Sequence, residues 1–199
     1  MPQRAAYWPA RRTLIVADLH LGKSQTLGVG GLPIPAGETG EQLERLGRAI
    51  DLSGAERLLV LGDLMHAPAG LIPELIEQVA RWRALKPIPI VVVPGNHDRR
   101  LPELAAVWGL VVGPARMSEG PFDFVHEPEA AAGRYSLCGH IHPAVRLRRA
   151  GDSLKLACFH FGRDVGVLPA FSRFTGGAAV RGEAGDGLFA IADGAVVAV

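Results

Sequence analysis

The chain has 199 residues, 48% of them hydrophobic, enough apolar surface to close one core within a single domain over residues 1–199. Its 21 basic and 20 acidic residues leave a net charge of +1, which excludes a global basic field for nucleic acid but not a local basic groove. No apolar run approaches the ~20 residues that span a membrane. Residues 1–10 lack the apolar stretch of a signal peptide, and Cys138 and Cys158, in apolar segments, read as two buried free thiols in a reducing, cytoplasmic setting.

Strand and helix signals alternate through the first half. Residues 13–17 form a short apolar run ending at Asp18; Arg57–Leu61 ends at Gly62-Asp63; residues 88–93 end at Pro94-Gly95-Asn96. Residues 21–37, rich in Gly and Pro, read as a long mobile loop beside the first of these clusters. Thr39 with Gln42 makes a capping-box signal, followed by Leu43, Leu46 and Ile50 at helical spacing. Pro73 suits a first helical turn, and Leu75, Ile76, Val79 and Trp82 form one apolar stripe. Continuous apolar strands alternating with helices predict a parallel sheet buried on both faces. In the second half, Leu110–Val112, Phe122–Val125, Tyr135–Cys138, 154–161 and 165–168 are short strands without long helices between them. Asp193-Gly194 reads as the turn of a hairpin joining 189–192 to 195–199. Helices early and strands late predict two sheets packed face to face with helices outside.

Chemistry-bearing residues stand in five clusters: Asp18-Leu19-His20, Gly62-Asp63, Gly95-Asn96-His97-Asp98, His126, and Gly139-His140-Ile141-His142. They hold five of the seven histidines. The first three follow apolar strands, and open α/β sheets bind ligands at the carboxyl ends of their strands, where loops diverge. Asp18, His20, Asp63 and Asn96 are therefore expected at one rim. Asp18 and His20 are two apart and, on extended backbone, face the same way with Leu19 turned into the core; His140 and His142 repeat that spacing. No cysteine takes part, against structural zinc. Asp, His and Asn together suit Mn²⁺, Fe or Zn²⁺ in an open catalytic site, and an Asp between two ions can bridge them.

The order D-x-H, GD, GNHD, H, G-H-x-H, from Asp18 to His142, resembles the calcineurin-like metallophosphoesterases. The resemblance implies an α/β four-layer sandwich of two mixed sheets with flanking helices. It implies one metal held by Asp18, His20, Asp63 and His142, and a second by the shared Asp63 with Asn96, His126 and His140. His97 would face the phosphate as a catalytic histidine, with Asp98 orienting its imidazole. His126 has no local motif, but it ends the apolar strand Phe122–Val125. A wider set of residues is similar to the bacterial ligase-associated DNA damage response endonucleases: Tyr7-Trp8-Pro9-Ala10, residues 16–23, Gly62-Asp63-Leu64-Met65-His66, Leu168-Pro169-Ala170-Phe171 and Phe174-Thr175-Gly176-Gly177. That likeness implies a manganese-dependent phosphodiesterase acting on DNA, associated with helicase and ligase-type repair proteins.

Several further residues carry two readings. Gly22-Lys23-Ser24 is not a P-loop, because Ala17 stands where its first glycine is needed; Lys23 either reaches substrate phosphate or is a surface lysine. His66 is either a contact beside the site or a histidine at a helix start. His160 reads as a buried, satisfied histidine, with the site rim as the alternative. Arg99 and Arg100 suit phosphate clamping, whereas the alternation in Arg146-Leu147-Arg148 suits a solvated face. The expected chemistry is attack of a metal-bound hydroxide on a phosphodiester, with DNA gripped through phosphate. The alternatives are a small-molecule or nucleotide phosphoesterase and, less in keeping with a complete ligand set, a non-catalytic scaffold.

Overall fold

The computed structural model describes residues 1–29, 37–149 and 152–199. The first half contains β1 (Ala6–Trp8), β2 (Thr13–Val16), α1 (Lys23–Val29), α2 (Glu38–Ser53), β3 (Arg57–Leu61), α3 (Pro73–Leu85), β4 (Ile90–Val93), α4 (Leu101–Trp108) and β5 (Leu110–Val112). These five strands form one sheet in the order β1-β2-β3-β4-β5; β1 and β2 are antiparallel and the other pairs parallel. The second half supplies β6 (Arg116–Glu119), β7 (Phe122–Val125), β8 (Tyr135–Cys138), β9 (Pro143–Arg149), β10 (Asp152–Phe161), β11 (Val165–Val167), β12 (Ala178–Ala179), β13 (Gly187–Ala192) and β14 (Ala195–Ala198). They build a second mixed sheet ordered β12-β9-β10-β11-β8-β7-β6, with β13 on β10 and β14 on β13.

The period of two along a strand divides the core. Leu14, Val16, Leu58, Val60, Ile90 and Val92 meet Leu43, Leu46 and Ile50 of α2, Val79 of α3 and Trp108 of α4. The alternate residues Ile15, Leu59, Leu61 and Val93 meet Phe124, Leu137, Phe159 and Leu168 of the second half. One face of the first sheet is thus covered by helices and the other by the second sheet, which is why its strands are apolar without interruption.

The structure departs from the sequence reading at identifiable places. α2 begins at Glu38 behind Gly37 without a side-chain cap, so Thr39 and Gln42 form no capping box. Thr39 lies buried in the first turn, and the Gln42 amide instead donates to the Leu19 carbonyl at 2.5 Å. Within 21–37, Lys23–Val29 is helical instead of a loop, and residues 30–36 lie outside the described residues. The strand expected from residue 88 starts at Ile90, after Pro87 and Pro89, which have no N–H for a ladder. β1, β6, β9, β12 and α4 were not anticipated. β1 is held by packing more than by length: Trp8 meets Phe122 edge to face with centroids 5.1 Å apart. Asp193 and Gly194, both at positive φ, turn β13 into β14 as expected. Cys138 and Cys158 are free and buried, and burial pushes their thiols up to about 12 and about 11.

Candidate active site

The five clusters meet at one rim. Asp18, Asp63 and Asn96 follow β2, β3 and β4; His126 follows β7, Gly139-His140 follows β8, and His142 precedes β9. Past the strand ends the first two segments stay zipped. Asp18 N–H donates to the Gly62 carbonyl at 3.1 Å, His20 N–H to that of Asp63 at 2.8 Å and Leu21 N–H to that of Leu64 at 2.8 Å.

Asp18 and His20 converge for a reason other than extended backbone. Their φ angles are 54° and 50°; His140 and His142 have 68° and 53°, and Asp63 has 49°. Among the described residues, five of the eight non-glycine residues at positive φ are thus expected ligands. Left-handed backbone costs a non-glycine residue of order 1 kcal/mol, and such strain collects where surrounding structure imposes it for function. Two glycines make the approach feasible. At Gly62, φ 76°, a Cβ would overlap the His126 imidazole. At Gly139 it would stand 2.5 Å from Asp18 Oδ2 and 2.6 Å from Ala17 Cβ.

Three groupings among the described residues have ligand atoms within 4.8 Å of one another: Asp18 with His20 and His142, Asp63 with His126 and His140, and, made of imidazoles without a carboxylate, His20 with His66 and His97. In the first, His20 Nε2 lies 3.3 Å from His142 Nε2, and His142 Nε2 lies 3.5 Å from Asp18 Oδ1. In the second, His126 Nε2 lies 3.0 Å from Asn96 Oδ1 and 3.1 Å from His140 Nδ1. Asp63 stands between them: Oδ2 is 3.8 Å from His20 Nε2, and Oδ1 is 3.5 Å from His126 Nε2.

The protonation logic of these contacts fits cations. His126 Nδ1 donates to the Leu61 carbonyl at 3.1 Å, which leaves Nε2 as the nitrogen turned toward the Asn96 and Asp63 oxygens. A histidine whose far nitrogen is bonded to a carbonyl is a common metal-ligand arrangement. Burial first, then the neighbouring His142, His97, Lys23 and His66, pushes His20 down to about 2, so it stands neutral and ready to ligate. Its buried Nδ1 has no partner among the described residues.

His97 is half-buried, and its Nδ1 donates to the His66 carbonyl at 2.6 Å while Nε2 lies 3.9 Å from Asp63 Oδ2. The His66 ring stacks on it, with centroids 5.5 Å apart and planes at 14°. The bond expected from Asp98 to the His97 imidazole is not formed. The buried Asp98 carboxylate accepts Met65 N–H at 3.1 Å and Gly95 N–H at 2.9 Å, tying the loops after β3 and β4 together. Burial raises its pKa, and those two N–H groups oppose the rise.

The remaining candidates divide. Lys23 is half-buried at the start of α1, close enough to depress both His20 and His66. Arg99 and Arg100 are exposed, and Arg100 is engaged by Glu103 one turn on. His160 bonds Asp186 Oδ2 at 2.7 Å, a satisfied histidine outside all three groupings. Sequence reading missed a cluster of cations beside His142: Arg4, Lys155 and Arg173. They come from three distant parts of the chain with no shared motif, so no local signal marks them.

Residues 11–171 match the family model described as calcineurin-like phosphoesterase. The chain is similar over 100% of its length to the solved nuclease MPE from Pseudomonas putida, at 34% identity, TM-score 0.87 and 93% coverage of that chain. A second solved structure is Yfce, a phosphoesterase from E. coli, at 16% identity and TM-score 0.49, covering 93% of this chain and 96% of that one. No curated protein matches the sequence.

Proposed function

The chain belongs to the calcineurin-like phosphoesterase family, and from that premise we propose that it is a phosphodiesterase with a dinuclear metal centre, cleaving DNA as an endonuclease of the ligase-associated repair kind. One observation carries the dinuclear reading: the two oxygens of Asp63 face separate histidine groupings, Oδ2 toward His20 and Oδ1 toward His126. Asp18, His20 and His142 complete one set, and Asn96, His126 and His140 the other. When bound, two divalent cations polarise the phosphoryl oxygens and acidify a water for attack on phosphorus.

The chain's own residues supply the rest. Because a carbonyl only accepts, the His66 oxygen fixes a proton on His97 Nδ1 and leaves Nε2 to face substrate. In its protonated form Nε2 donates to a phosphoryl oxygen or to the departing alkoxide. Asp98 holds the two loops that carry Asp63 and His97 at a fixed separation. Lys23, near enough to His20 and His66 to lower both, would meet a non-bridging oxygen.

Manganese as the metal, a cytoplasmic setting and association with helicase or ligase-type repair proteins belong to the same reading, through the likeness to the ligase-associated endonucleases. The nuclease similarity over the whole chain supports DNA as substrate. The deciding experiment sets plasmid DNA, single-stranded DNA and bis-p-nitrophenyl phosphate side by side with and without Mn²⁺. Metal-dependent cleavage of both DNA and the small ester is expected. Hydrolysis of the small ester alone would favour a small-molecule phosphoesterase.

A further inference from the structure

A cavity of about 160 Å³ opens against His142, and its charged lining is entirely basic: Arg4, Lys155 and Arg173. The segment that forms its floor is fixed to the metal rim. Phe171 N–H donates to the Ala17 carbonyl at 2.8 Å and Ser172 N–H to that of Asp18 at 3.2 Å. Farther along, Ala178 N–H donates to the His142 carbonyl at 3.0 Å. Arg4 is braced over this segment, its Nη1 donating to the carbonyls of Ala170 at 3.1 Å and Ser172 at 2.6 Å. Lys155 Nζ donates to the Gly177 carbonyl. Arg173 is exposed, with no hydrogen bond or ion pair among the described residues.

No carboxylate lines the cavity, and none of the three cations pairs with one among the described residues. Burial, and then repulsion from Arg173, lowers Arg4 to about 10. A chain of net charge +1 has thus gathered mutually repelling cations next to one metal ligand, an arrangement that an anion relieves.

The basic surface continues in one direction. In the β9–β10 ladder, Ala144 is opposite Ala157, Arg146 opposite Lys155, and Arg148 opposite Ser153. Residues two apart, and directly opposed partners, share a face. Ala144, Ala157 and Lys155 all line the cavity, so Arg146 and Arg148 extend from it on the same face. Arg146 stands directly across from Lys155, a like-charge pairing that costs stability unless a counter-charge lies over it.

We propose that this cavity seats a backbone phosphate of the nucleic-acid strand beside the one being cleaved, and that Arg146 and Arg148 carry the strand onward along β9. The proposal rests on the nuclease reading above and adds the strand's path to it. Contacts of this kind grip phosphate without reading bases, so the track is indifferent to sequence.

The test uses a 5′-fluorescein-labelled single-stranded deoxyoligonucleotide and bis-p-nitrophenyl phosphate, which offers one phosphate and cannot reach the track. The variants are Arg173→Ala with Lys155→Ala, and Arg146→Ala with Arg148→Ala; Arg81→Ala on α3, paired there with Glu77, is the control. Each pair should lower the ratio of kcat/KM on the oligonucleotide to kcat/KM on the small ester by about tenfold, and the control should not. Fluorescence anisotropy in a His97→Ala background should show the slope of log affinity against log salt flattening by about 0.7 for each contact removed. If the wild type cleaves the oligonucleotide but the variants keep the ratio within about twofold, the track is wrong and the nuclease reading stands. An equal fall on both substrates also overturns the track, since the residues then support the centre itself. If the wild type hydrolyses only the small ester and does not bind the oligonucleotide, the track falls together with the nuclease reading.

Discussion

The His97 imidazole gives its Nδ1 proton to the main-chain carbonyl of His66, 2.6 Å away. That bond anchors the ring through backbone and survives a change of side chain at position 66, which removes only the stacked His66 ring. His97→Ala should therefore keep both metals and lose about 10²- to 10⁴-fold in turnover on bis-p-nitrophenyl phosphate. His66→Ala, which preserves the carbonyl, should lose far less. Metal content by elemental analysis alongside the kinetics checks this; loss of both ions from His97→Ala would mean that the ring is a ligand.

Asp63→Ala should weaken both metal sites together. The carboxylate is the group placed between the two histidine sets, and without it two dications repel across the gap. Isothermal titration with Mn²⁺ should find two ions per chain in the wild type and a large loss of affinity for both in the variant. Treatment with EDTA should abolish hydrolysis in the wild type, with Mn²⁺ restoring it.

Asp98→Ala should act on stability as well as rate. The change leaves the buried N–H of Met65 and the part-buried N–H of Gly95 without their acceptor, at a cost of about 3 kcal/mol. Urea unfolding of the metal-free protein measures it. A variant with unchanged stability but reduced activity would instead indicate a direct chemical role for the carboxylate.

Gly139→Ala should disturb one metal set more than the other. The added methyl presses on Asp18 Oδ2 and Ala17 Cβ, and Asp18 belongs with His20 and His142. Metal titration should show one site weakened strongly and the Asp63–His126–His140 set weakened less; equal loss at both would place Asp18 differently.

The two thiols should be inert in the folded protein. Burial disfavours the thiolate of Cys138 and Cys158, pushing them up to about 12 and about 11. At pH 8 a thiol reagent such as dithiobis-nitrobenzoate should find almost no reactive cysteine under native conditions and two in guanidinium. Two free thiols after unfolding without reductant would also exclude a disulfide.

The gathering of the expected ligands at one rim was legible in the sequence because their clusters follow short apolar runs, and strand ends are where a sheet presents side chains to a crevice. The means of their convergence was not legible. Extended backbone would also have turned Asp18 and His20 to one side, but the structure does it with left-handed residues imposed by the zipped segments 18–21 and 62–65. The role of Asp98 was misplaced because adjacency to His97 in sequence says nothing about which N–H groups a tight loop brings to its carboxylate. α4 escaped notice although Leu101, Leu104 and Trp108 mark its buried side, because eight residues beginning at a Leu-Pro pair carry little periodic signal. Arg4, Lys155 and Arg173 meet only through tertiary structure.

The proposed ligands around Asp63 are drawn from both sheets, Asp18, Asp63 and Asn96 from one and His126, His140 and His142 from the other. Ions held among them, as proposed, would act as rivets across the seam between the sheets. Prying the sheets apart then requires releasing the ions, so loading should slow unfolding and raise the melting temperature in step with free metal concentration. Starvation for metal would leave a protein that is inactive and, at the same time, easier for a protease to open.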